Sequence, residues 1–328
     1  MAGASLVIVN YRSAPLAIEA IRSARANTRA PLQVIVVDNS GEAAALSAHA
    51  DILITPDTNL GYGAAVNRAR AKCDSEVLIA ANADVVFGPG AIDLLIASGA
   101  DVAGPALFWD DAFTWILPPS ELHTTADAFD AAIASRFPRW NRSRDRQRIR
   151  KRIAFWSLSE TTEVDAVSGA IMAIRTKAFD RIGGFDERFH LYFEEIDFQR
   201  RLRGGIAYVP EACCRHIYNQ SAAASAAAAA EYAKSEMQYL AKWGGAATAQ
   251  FIKSIERPRE TVQPNAANEI VVDRDGLLIE ASPLPSFDTA AGHFPKSRSV
   301  TIPDDVWRAY RSNVLYLRVI EADTARVL

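Results

Sequence analysis

Residues 164–205 decide the fold, and they read VDAVSGAIMAIRTKAFDRIGGFDERFHLYFEEIDFQRRLRGG. The apolar pattern of residues 164–174 predicts a buried strand, and residues 177–182 predict a short helix. The pair Gly183-Gly184 ends that helix. An irregular aromatic segment, residues 185–193, follows and leads directly into a second helix. The stretch therefore predicts a strand, a turn of helix, an aromatic loop and a helix that begins with acidic residues.

The second helix has acidic side chains in its first turn and basic side chains in its last. These residues are Glu194, Glu195, Asp197, Arg200, Arg201 and Arg203. The distribution matches the helix macrodipole, so a purely structural role explains it. The adjacent aromatic residues favour a second interpretation. An apolar environment raises the pKa of a carboxyl group, which is how a general base is tuned.

The first hundred residues alternate short apolar runs with helical segments. We predict strands at residues 6–9, 32–37, 52–54 and 77–80, and helices at 14–26 and 62–73. Continuous β-branched runs between helices predict an α/β protein with a mainly parallel central sheet covered on both faces. Ligands of such sheets bind beyond the carboxyl ends of the strands. Tyr11, Asp38 and Asp84 follow three of these strands, so we expect a nucleotide site there.

Each motif at these strand ends is ambiguous when it is taken alone. Asp38-Asn39-Ser40 is also typical of a plain turn. Gly61 and Gly63 at the start of a helix suit the close approach of a phosphate, and a helix cap would explain them equally well. No Gly-x-Gly-x-x-Gly follows the first strand, so the dinucleotide fingerprint is absent.

Taken in order, the motifs resemble those of the family 2 glycosyltransferases, and in particular the rhamnosyltransferase-like branch that extends bacterial polysaccharides. The matching blocks are Asn10-Tyr11, Val37-Asp38-Asn39-Ser40, Asn59-Leu60-Gly61, Asn82-Ala83-Asp84, Gly183-Gly184-Phe185-Asp186-Glu187 and Glu194-Glu195-Ile196-Asp197. Ala83 stands where the family has proline, and Glu195 where it usually has aspartate. The resemblance covers roughly residues 5–243, and it implies a GT-A fold.

The resemblance also implies a site for a nucleotide-diphospho-sugar, either a dTDP- or a UDP-sugar, with rhamnose as the candidate sugar. Tyr11 and Asp38 would contact the base or the ribose. The other donor-binding residues would be Asn59, Gly61, Asn82, Asp84 and Gly169. Gly169 lies where the family's strand passes the donor sugar. His216 would join Asp84 in holding a divalent cation, and these ligands suit Mn²⁺ or Mg²⁺.

The implied reaction is a single displacement with inversion at the anomeric carbon. The cation would neutralise the departing diphosphate. Glu195 would take the proton of the acceptor hydroxyl, with Glu194 as the alternative base. Asp197 and Arg200 lie about one helical turn further along and would support the base. The acceptor implied by the resemblance is a saccharide or a lipid-linked saccharide of bacterial surface polysaccharide synthesis.

Composition indicates a globular protein with room for a second domain. The chain has 328 residues, 49% hydrophobic and 23% charged, and its net charge of −3 gives no reason to expect nucleic acid. Its cysteines, Cys73, Cys213 and Cys214, have neither metal-binding spacing nor an even number, so we expect a reducing, cytoplasmic location. The start, MAGASLVIVNY, lacks the basic region of a signal peptide. No uncharged apolar run reaches the length of about 18 residues that spans a bilayer.

Residues 109–163 depart from the resemblance and form a basic and aromatic insertion. Residues 136–152 contain nine lysines and arginines against the single acid Asp145, and aromatic residues are interleaved up to residue 156. A solvated, arginine-rich helix or loop explains this composition. An interface with anionic lipid headgroups, or with the pyrophosphate of a lipid-linked acceptor, explains residues 136–156 as well. Arginines and aromatic residues together also bind single-stranded nucleic acid.

From about residue 257 the sequence changes to short alternating runs separated by prolines. We predict strands at 270–274 and 277–280, joined as a hairpin by Asp275-Gly276. Further strands are expected at 300–302 and 314–320, and a helix at 305–311 capped by Asp304. We therefore divide the chain into a domain at 1–250, with a closing helix at 222–243, and a small β-rich module at 257–328. The module could bind acceptor glycan, mediate oligomerisation or brace the first domain.

Two other classes of protein remain compatible with parts of the pattern. A sugar-1-phosphate nucleotidyltransferase should carry a glycine-rich basic loop after the first strand, where this chain has Asn10-Tyr11-Arg12-Ser13. A non-catalytic protein that binds sugar nucleotides, or a scaffold, is compatible with Glu195 in the place of aspartate. The extra methylene group of glutamate shifts the position of the carboxylate. A base must lie within reach of the proton that it takes, so this shift bears on whether Glu195 can act as one.

Overall fold

The computed structural model describes residues 3–217, 226–257, 269–309 and 314–328. Its N-terminal part contains β1 (Ala4–Asn10), α1 (Ala14–Asn27), β2 (Leu32–Asp38), α2 (Ala43–Leu46), β3 (Ile52–Ile54), α3 (Tyr62–Arg70) and β4 (Val77–Asn82). All four predicted strands are present. Leu6 and Ile8 of β1 pack on the side of α1, and Val7 packs on the side of α3. The alternation of side chains along the strand therefore buries both faces, which explains why the run is continuously apolar.

The middle of the chain contains β5 (Val85–Phe87), α4 (Ala91–Ala97), β6 (Val102–Phe108), α5 (Thr125–Ala134), α6 (Pro138–Trp156), β7 (Thr162–Glu163), β8 (Ile171–Arg175), α7 (Thr176–Arg181), α8 (Glu194–Leu202) and β9 (Ile206–His216). The predicted strand 164–174 is wrong in its first half, since β8 begins only at Ile171. The reason is that the backbone N–H and C=O of Val167 bond to the side chain of Gln199, at 2.7 and 3.0 Å, and not to a neighbouring strand.

The sequence pattern predicts a strand at residues 206–209 that ends at Pro210, but strand β9 continues through this proline to His216. The pairing of β9 with β6 shifts register between Pro105 and Ala106, so an irregularity absorbs the proline and pairing then resumes. This continuation places His216 at the end of a strand, next to the strand that follows Asp84.

The central sheet has the strand order β3-β2-β1-β4-β8-β6-β9-β5, with β7 paired to β9. Strands β1 to β4 are parallel, and so are β6 and β9, whereas β8 runs antiparallel between β4 and β6. The predicted α/β class with a mainly parallel central sheet is confirmed. The carboxyl ends of β1, β2 and β4 lie side by side at one edge of this sheet.

Two helices, α9 (Ala226–Gly244) and α10 (Ala246–Ile255), follow the sheet. The predicted closing helix 222–243 corresponds to α9, and residues 222–225 lie outside the described residues. Tyr239 and Leu240 of α9 are fully buried against Phe189 and Phe193 of the aromatic loop. No helix in the described ranges is long and apolar enough to cross a membrane.

The C-terminal module contains β10 (Glu269–Val271), β11 (Leu277–Ser282), β12 (Ala291–His293), β13 (Ser299–Thr301), α11 (Asp304–Ala309), β14 (Tyr316–Glu321) and β15 (Arg326–Val327). The predicted hairpin at Asp275-Gly276 is wrong, because β10 pairs with β13 whereas β11 pairs with β12 and β14. Both edges of β11 are occupied, so β10 has none to join. Asp304 is the first residue of its helix, and residues 310 and 311 lie outside the described ranges.

The basic helix α6 packs on this module through charged side chains. Arg152 and Glu280 are almost fully buried and paired at 2.7 Å. Arg318 donates to the other oxygen of Glu280 at 2.7 Å and to Asp145 at 2.8 Å. The neighbouring apolar contacts join Trp156 of α6 to Leu278 and Ile320. Part of the arginine-rich composition is therefore internal, and the module braces the insertion.

Candidate functional site

The ends of β1 and β2 form a polar pocket around Asp38. Asn10 and Asp38 are paired in register, and the Asn10 amide donates to Asp38 Oδ1 at 3.0 Å. The Ser40 hydroxyl and backbone N–H donate to the same oxygen at 3.0 and 3.1 Å. Burial raises the pKa of Asp38, but these hydrogen bonds outweigh it and hold the pKa below its usual value. The second oxygen, Oδ2, is buried without a partner among the described residues.

An open cleft of about 370 Å³ lies beside this pocket. It is lined by Tyr11, Arg12, Asn39, Ser40, Gly41, Pro56, Asp57, Thr58 and Asn59. The Tyr11 ring is 51% exposed, with the Arg12 guanidinium 5.3 Å from its centre. The structure thus brings together three predicted donor-binding residues, Tyr11, Asp38 and Asn59. Their arrangement offers a flat ring, a buried acceptor atom and room for a nucleoside.

The Gly61 backbone packs against the loop before α8. The sequence left open whether the Gly-x-Gly admits a phosphate or caps the helix, and the packing adds a third role. Gly61 has φ of +81°, and a Cβ atom there would lie 2.1 Å from the backbone oxygen of His190. That oxygen accepts a hydrogen bond from Tyr62 N at 3.0 Å. The glycine therefore lets the loop that precedes Glu194 close onto the start of α3.

We expect Gly61→Ala to destabilise the protein more than Gly41→Ala does. Both glycines have φ of +81°, but nothing lies within 4 Å of a Cβ atom at Gly41. The left-handed conformation costs each variant about 1–2 kcal/mol, and the contact with His190 adds roughly 1–3 kcal/mol at Gly61 alone. Urea unfolding of the two variants measures the difference. Equal losses of stability would show that the loop does not pack on Gly61.

A second cluster begins at Asp84, beyond the end of β4. Val85 pairs with His216 in the antiparallel register of β5 and β9, so Asp84 and His216 become neighbours. Asp84 Oδ1 lies 3.4 Å from His216 Nε2, and both side chains are mostly buried. Asn82, half-buried at the end of β4, donates its N–H to Ala170 O at 2.9 Å. The predicted pair of metal ligands is thus brought together across two strands.

This pair has the chemistry that a divalent cation requires. A carboxylate and a neutral imidazole are suitable donors for Mn²⁺, and the carboxylate with water suits Mg²⁺. The described part of the chain contains no group of three or more His, Cys, Asp or Glu side chains that could hold a metal ion. A cation at Asp84 and His216 would therefore take its other ligands from water and from a bound diphosphate.

The two adjacent glutamates at the start of α8 differ in their surroundings. Both residues before them, Tyr192 and Phe193, have φ of +69°, so the chain turns sharply into the helix. The buried side chain of Glu194 packs against Gly63 of α3. Glu195 is only partly buried, and a Cβ atom at Gly169 would lie 2.6 Å from its Cγ. Gly169 thus makes room for Glu195, and its place beside the donor sugar, which the resemblance implies, stays a prediction.

Tyr62, which the sequence analysis did not single out, joins the carboxylates to the end of β4. Its hydroxyl group donates to Gly169 O at 3.4 Å. Burial, followed by the charges of Glu194, Glu195 and Asp84, raises the pKa of Tyr62 far above its usual value. The Tyr62 hydroxyl and the Glu195 side chain therefore meet at the same residue, Gly169. The only sequence signal was the position of Tyr62 between two glycines that admit the loop.

Burial dominates the electrostatics of the glutamate pair. It raises the pKa of Glu194 well above 4.5, and the charge of Glu195 raises it further. Burial also raises the pKa of Glu195, although the backbone amides of Phe193, Glu195 and Ile196 favour its ionised form. Two adjacent carboxyl groups resist double ionisation. The pair therefore gives up its second proton only well above the usual pH range of a carboxyl group.

We expect Glu194→Gln to stabilise the protein increasingly as the pH rises. In the unfolded chain Glu194 ionises near its ordinary pKa of 4.5, but in the folded chain it stays protonated to a higher pH. The stability of the wild type therefore decreases as the pH rises from the pKa of the unfolded state to that of the folded state, and glutamine abolishes this decrease. Urea unfolding of both proteins across a pH series measures the difference. A difference that does not change with pH would contradict a raised pKa at Glu194.

Asp197 and Arg200 lie on the side of α8 that meets α9. Asp197 is fully buried and accepts from Arg201 at 2.8 Å, Lys242 at 2.6 Å and Trp243 Nε1 at 3.0 Å. Arg200 stacks 4.2 Å from the Trp243 ring. These contacts fasten α9 to α8. Both residues thus hold the helix that carries Glu195. Among the described residues, neither of them contacts Asp84 or His216.

Comparison with known proteins identifies a family. The model of the family described as "Glycosyltransferase like family 2" matches residues 2–234. An N-acetylglucosaminyl-diphospho-decaprenol L-rhamnosyltransferase from Mycobacterium tuberculosis strain H37Rv is 28% identical over 239 residues, which are 64% of this chain and 75% of that protein. The protein of the same name from strain CDC 1551 has the same identity and coverage.

Solved structures of other enzymes are similar to a lesser degree. The mannosyltransferase PcManGT from Pyrobaculum calidifontis, in complex with GDP-Man and Mn²⁺, has a TM-score of 0.49 and 12% identity, covering 76% of this chain and 70% of its own. GalNAc-T7 with UDP, GalNAc and Mn²⁺ has a TM-score of 0.47 and 15% identity over 66% of this chain. The match spans less than half, 44%, of the GalNAc-T7 chain.

Proposed function

The chain belongs to the family 2 glycosyltransferases and has their GT-A fold, and from this premise we propose that it transfers a sugar from a nucleotide-diphospho-sugar to a hydroxyl group of a saccharide acceptor. One observation carries the proposal. The N–H of Asn82, two residues before Asp84, donates to Ala170 O, and Glu195 packs against the adjacent Gly169, so the proposed base lies beside the strand end that leads to the proposed cation ligand. Inverting transfer needs a group that neutralises the departing diphosphate on one side of the anomeric carbon and a base for the acceptor hydroxyl on the other.

The proposed binding site for the base of the sugar nucleotide depends on Asp38. Its buried Oδ2 atom lacks a partner among the described residues, and a carboxylate can only accept hydrogen bonds. Uracil and thymine present an N–H group at their Watson–Crick edge, whereas cytosine presents an acceptor nitrogen there. Asp38 therefore favours a UDP- or dTDP-sugar over a CDP-sugar, with Tyr11 beside the base. The rhamnosyltransferase relative suggests rhamnose as the transferred sugar.

The proposed binding site for the diphosphate depends on Asp84 and His216. These two residues would hold the divalent cation, with Asn82 at the neighbouring end of β4. Such a cation, when bound, neutralises the charge that develops on a departing diphosphate. The 3.4 Å approach of Asp84 to His216 supports this role, since it sets two donor atoms of suitable type side by side.

Glu195 is the proposed base. It accepts the proton of the acceptor hydroxyl as that oxygen forms a bond to the anomeric carbon, and the bond from this carbon to the diphosphate oxygen breaks on the opposite side. One displacement inverts the anomeric centre and releases the nucleoside diphosphate. The partial exposure of Glu195, compared with the burial of Glu194, supports this choice between the two glutamates.

The acceptor in the proposal is an N-acetylglucosaminyl-diphospho-lipid, by analogy with the name of the mycobacterial relative. Such an acceptor belongs to the membrane, so the enzyme would work as a peripheral protein at the cytoplasmic face. Bacterial surface polysaccharide synthesis is the corresponding role.

A transfer assay tests the proposal. The full chain is incubated with dTDP-rhamnose, UDP-N-acetylglucosamine or GDP-mannose, a short-chain N-acetylglucosaminyl-diphospho-lipid, and either Mn²⁺, Mg²⁺ or EDTA. We expect cation-dependent product from a dTDP- or UDP-sugar, with the anomeric configuration inverted by NMR. Donor binding without turnover would favour the non-catalytic alternative. Formation of a sugar nucleotide from a sugar 1-phosphate would favour a nucleotidyltransferase.

A further inference from the structure

Helix α6 has an outer face that differs from the face packed on the C-terminal module. Four arginines, Arg139, Arg142, Arg146 and Arg150, recur every three or four residues and are exposed. They lie on one side of the helix over about 16 Å, and we call them the arginine stripe. Within the described residues, none of these four side chains forms an ion pair or a hydrogen bond, whereas the side chains of Arg144, Arg148 and Arg152 all form ion pairs.

Exposed aromatic rings cluster around the start of α6, where the arginine stripe begins. They are Phe129, Phe137, Trp140 and Phe251, with 42%, 57%, 52% and 56% of their surface exposed, and we call them the aromatic patch. Phe129 and Phe251 stack at 6.3 Å between ring centres. Trp140 Nε1 donates to Asp130 at 2.7 Å, which places Trp140 next to Phe129. The start of α6 is held to the end of α10, because Arg136 donates to Ile255 O.

The opposite side of this helical layer touches the proposed site. Ala128 and Ala132 of α5 pack with Phe189 and Phe193 of the aromatic loop. The His123 ring, just before α5, meets Phe193 edge-on at 5.5 Å. Phe193 directly precedes Glu194. The patch is therefore separated from the proposed base by one layer of helix.

We propose that the aromatic patch and the arginine stripe dock the protein on an anionic phospholipid bilayer. Aromatic rings are suited to the headgroup level of a bilayer, and arginines beside them pair with lipid phosphates. A second copy of the chain fits less well, since a two-fold contact would set like-charged arginines against each other. Docking itself does not depend on the proposed reaction, but its consequence, delivery of a lipid-linked acceptor to Glu195, rests on it.

Vesicle sedimentation tests the docking surface. Wild-type protein is mixed with vesicles of phosphatidylcholine alone and of phosphatidylcholine with phosphatidylglycerol. We expect binding only to the anionic vesicles. Arg142→Gln/Arg146→Gln is expected to weaken it about 30-fold, because each basic residue near a membrane surface contributes roughly five-fold. Phe129→Ser/Phe251→Ser is expected to weaken binding by at least as much, since the removed rings are the apolar contact.

A matched control carries the same loss of charge elsewhere. Arg22 and Arg68 are exposed helical arginines outside the stripe, and Arg22→Gln/Arg68→Gln should bind anionic vesicles like wild type. Equal weakening in control and stripe variants, or wild-type binding that ignores phosphatidylglycerol, would overturn the proposal. So would a dimer in sedimentation velocity that Phe129→Ser/Phe251→Ser dissociates, or preferential binding of a single-stranded oligonucleotide.

A transfer assay with a short-chain, water-dispersed acceptor separates this proposal from the proposed function. The stripe variant should retain wild-type rates there and lose rate only with acceptor embedded in anionic vesicles. Vesicle binding that persists in a protein without transferase activity would reject the proposed function alone. Transferase activity with no vesicle binding would reject the docking surface alone.

Discussion

Glu195→Gln is expected to lower kcat by about 10²–10⁴-fold while donor binding survives, because glutamine keeps the shape of the side chain but cannot take a proton. The side chain fills the space left by Gly169, so an amide of the same size should leave the start of α8 undisturbed. Transfer rates and donor affinity of the variant, measured separately, distinguish loss of chemistry from loss of binding.

Glu211→Gln serves as the control for this change. Glu211 is exposed on β9, far along the strand from His216, and the same substitution there should leave the rate unchanged. Near-normal turnover in Glu195→Gln would reject Glu195 as the base. If Glu194→Gln lost the rate instead, the two glutamates would exchange roles, and the packing of Glu194 on Gly63 would have to open for the acceptor.

Asp84→Ala is expected to abolish the stabilisation that a nucleotide-sugar and Mn²⁺ provide together. At a donor concentration 100-fold above its Kd, binding contributes about 2.7 kcal/mol, which raises the Tm of a chain of this size by roughly 5 °C. Removal of a cation ligand lowers the affinity, so the shift should fall to about 1 °C or less. Thermal unfolding with UDP- and dTDP-sugars, in Mn²⁺ and in EDTA, measures it.

Asp74→Ala provides the matched control, since Asp74 is an exposed aspartate that precedes β4 whereas Asp84 follows it. The control should keep the full cation-dependent shift. A Tm shift that survives in Asp84→Ala would place the cation at other residues. A shift in the wild type that EDTA does not reduce would show that donor binding does not need a cation. A shift that His216→Ala also loses would support joint binding by the pair.

The local pattern was sufficient for the parallel half of the sheet. Strands β1, β2 and β4 are continuous apolar runs buried on both faces, and β3 is a short apolar run at the edge, so composition alone marks the strands and their carboxyl ends. The polar residues that follow, among them Asp38 and Asp84, were therefore located correctly. The acidic start of α8 was also predicted from the local pattern, because Gly183-Gly184 and the aromatic loop precede the point where the helix begins.

Local pattern failed where pairing or packing is decided at long range. The strand 164–174 is shortened because Gln199, 32 residues away from Val167, takes its backbone bonds. The hairpin at Asp275-Gly276 does not form because β14 occupies the edge of β11. Part of the basic helix is internal because Glu280 lies opposite Arg152. None of these partners is adjacent in sequence.

The sequence by itself determined the family, the α/β class and the residue types that face the carboxyl edge of the sheet, because these follow from short-range apolar periodicity and from motif order. Only the tertiary structure decided which of those residues act together. The register of β5 and β9 makes Asp84 and His216 neighbours, and the loop that closes onto Gly61 leads into the helix that sets Glu195 against Gly169. Contacts between residues more than a hundred positions apart depend on how elements pack, and the local sequence does not contain that information.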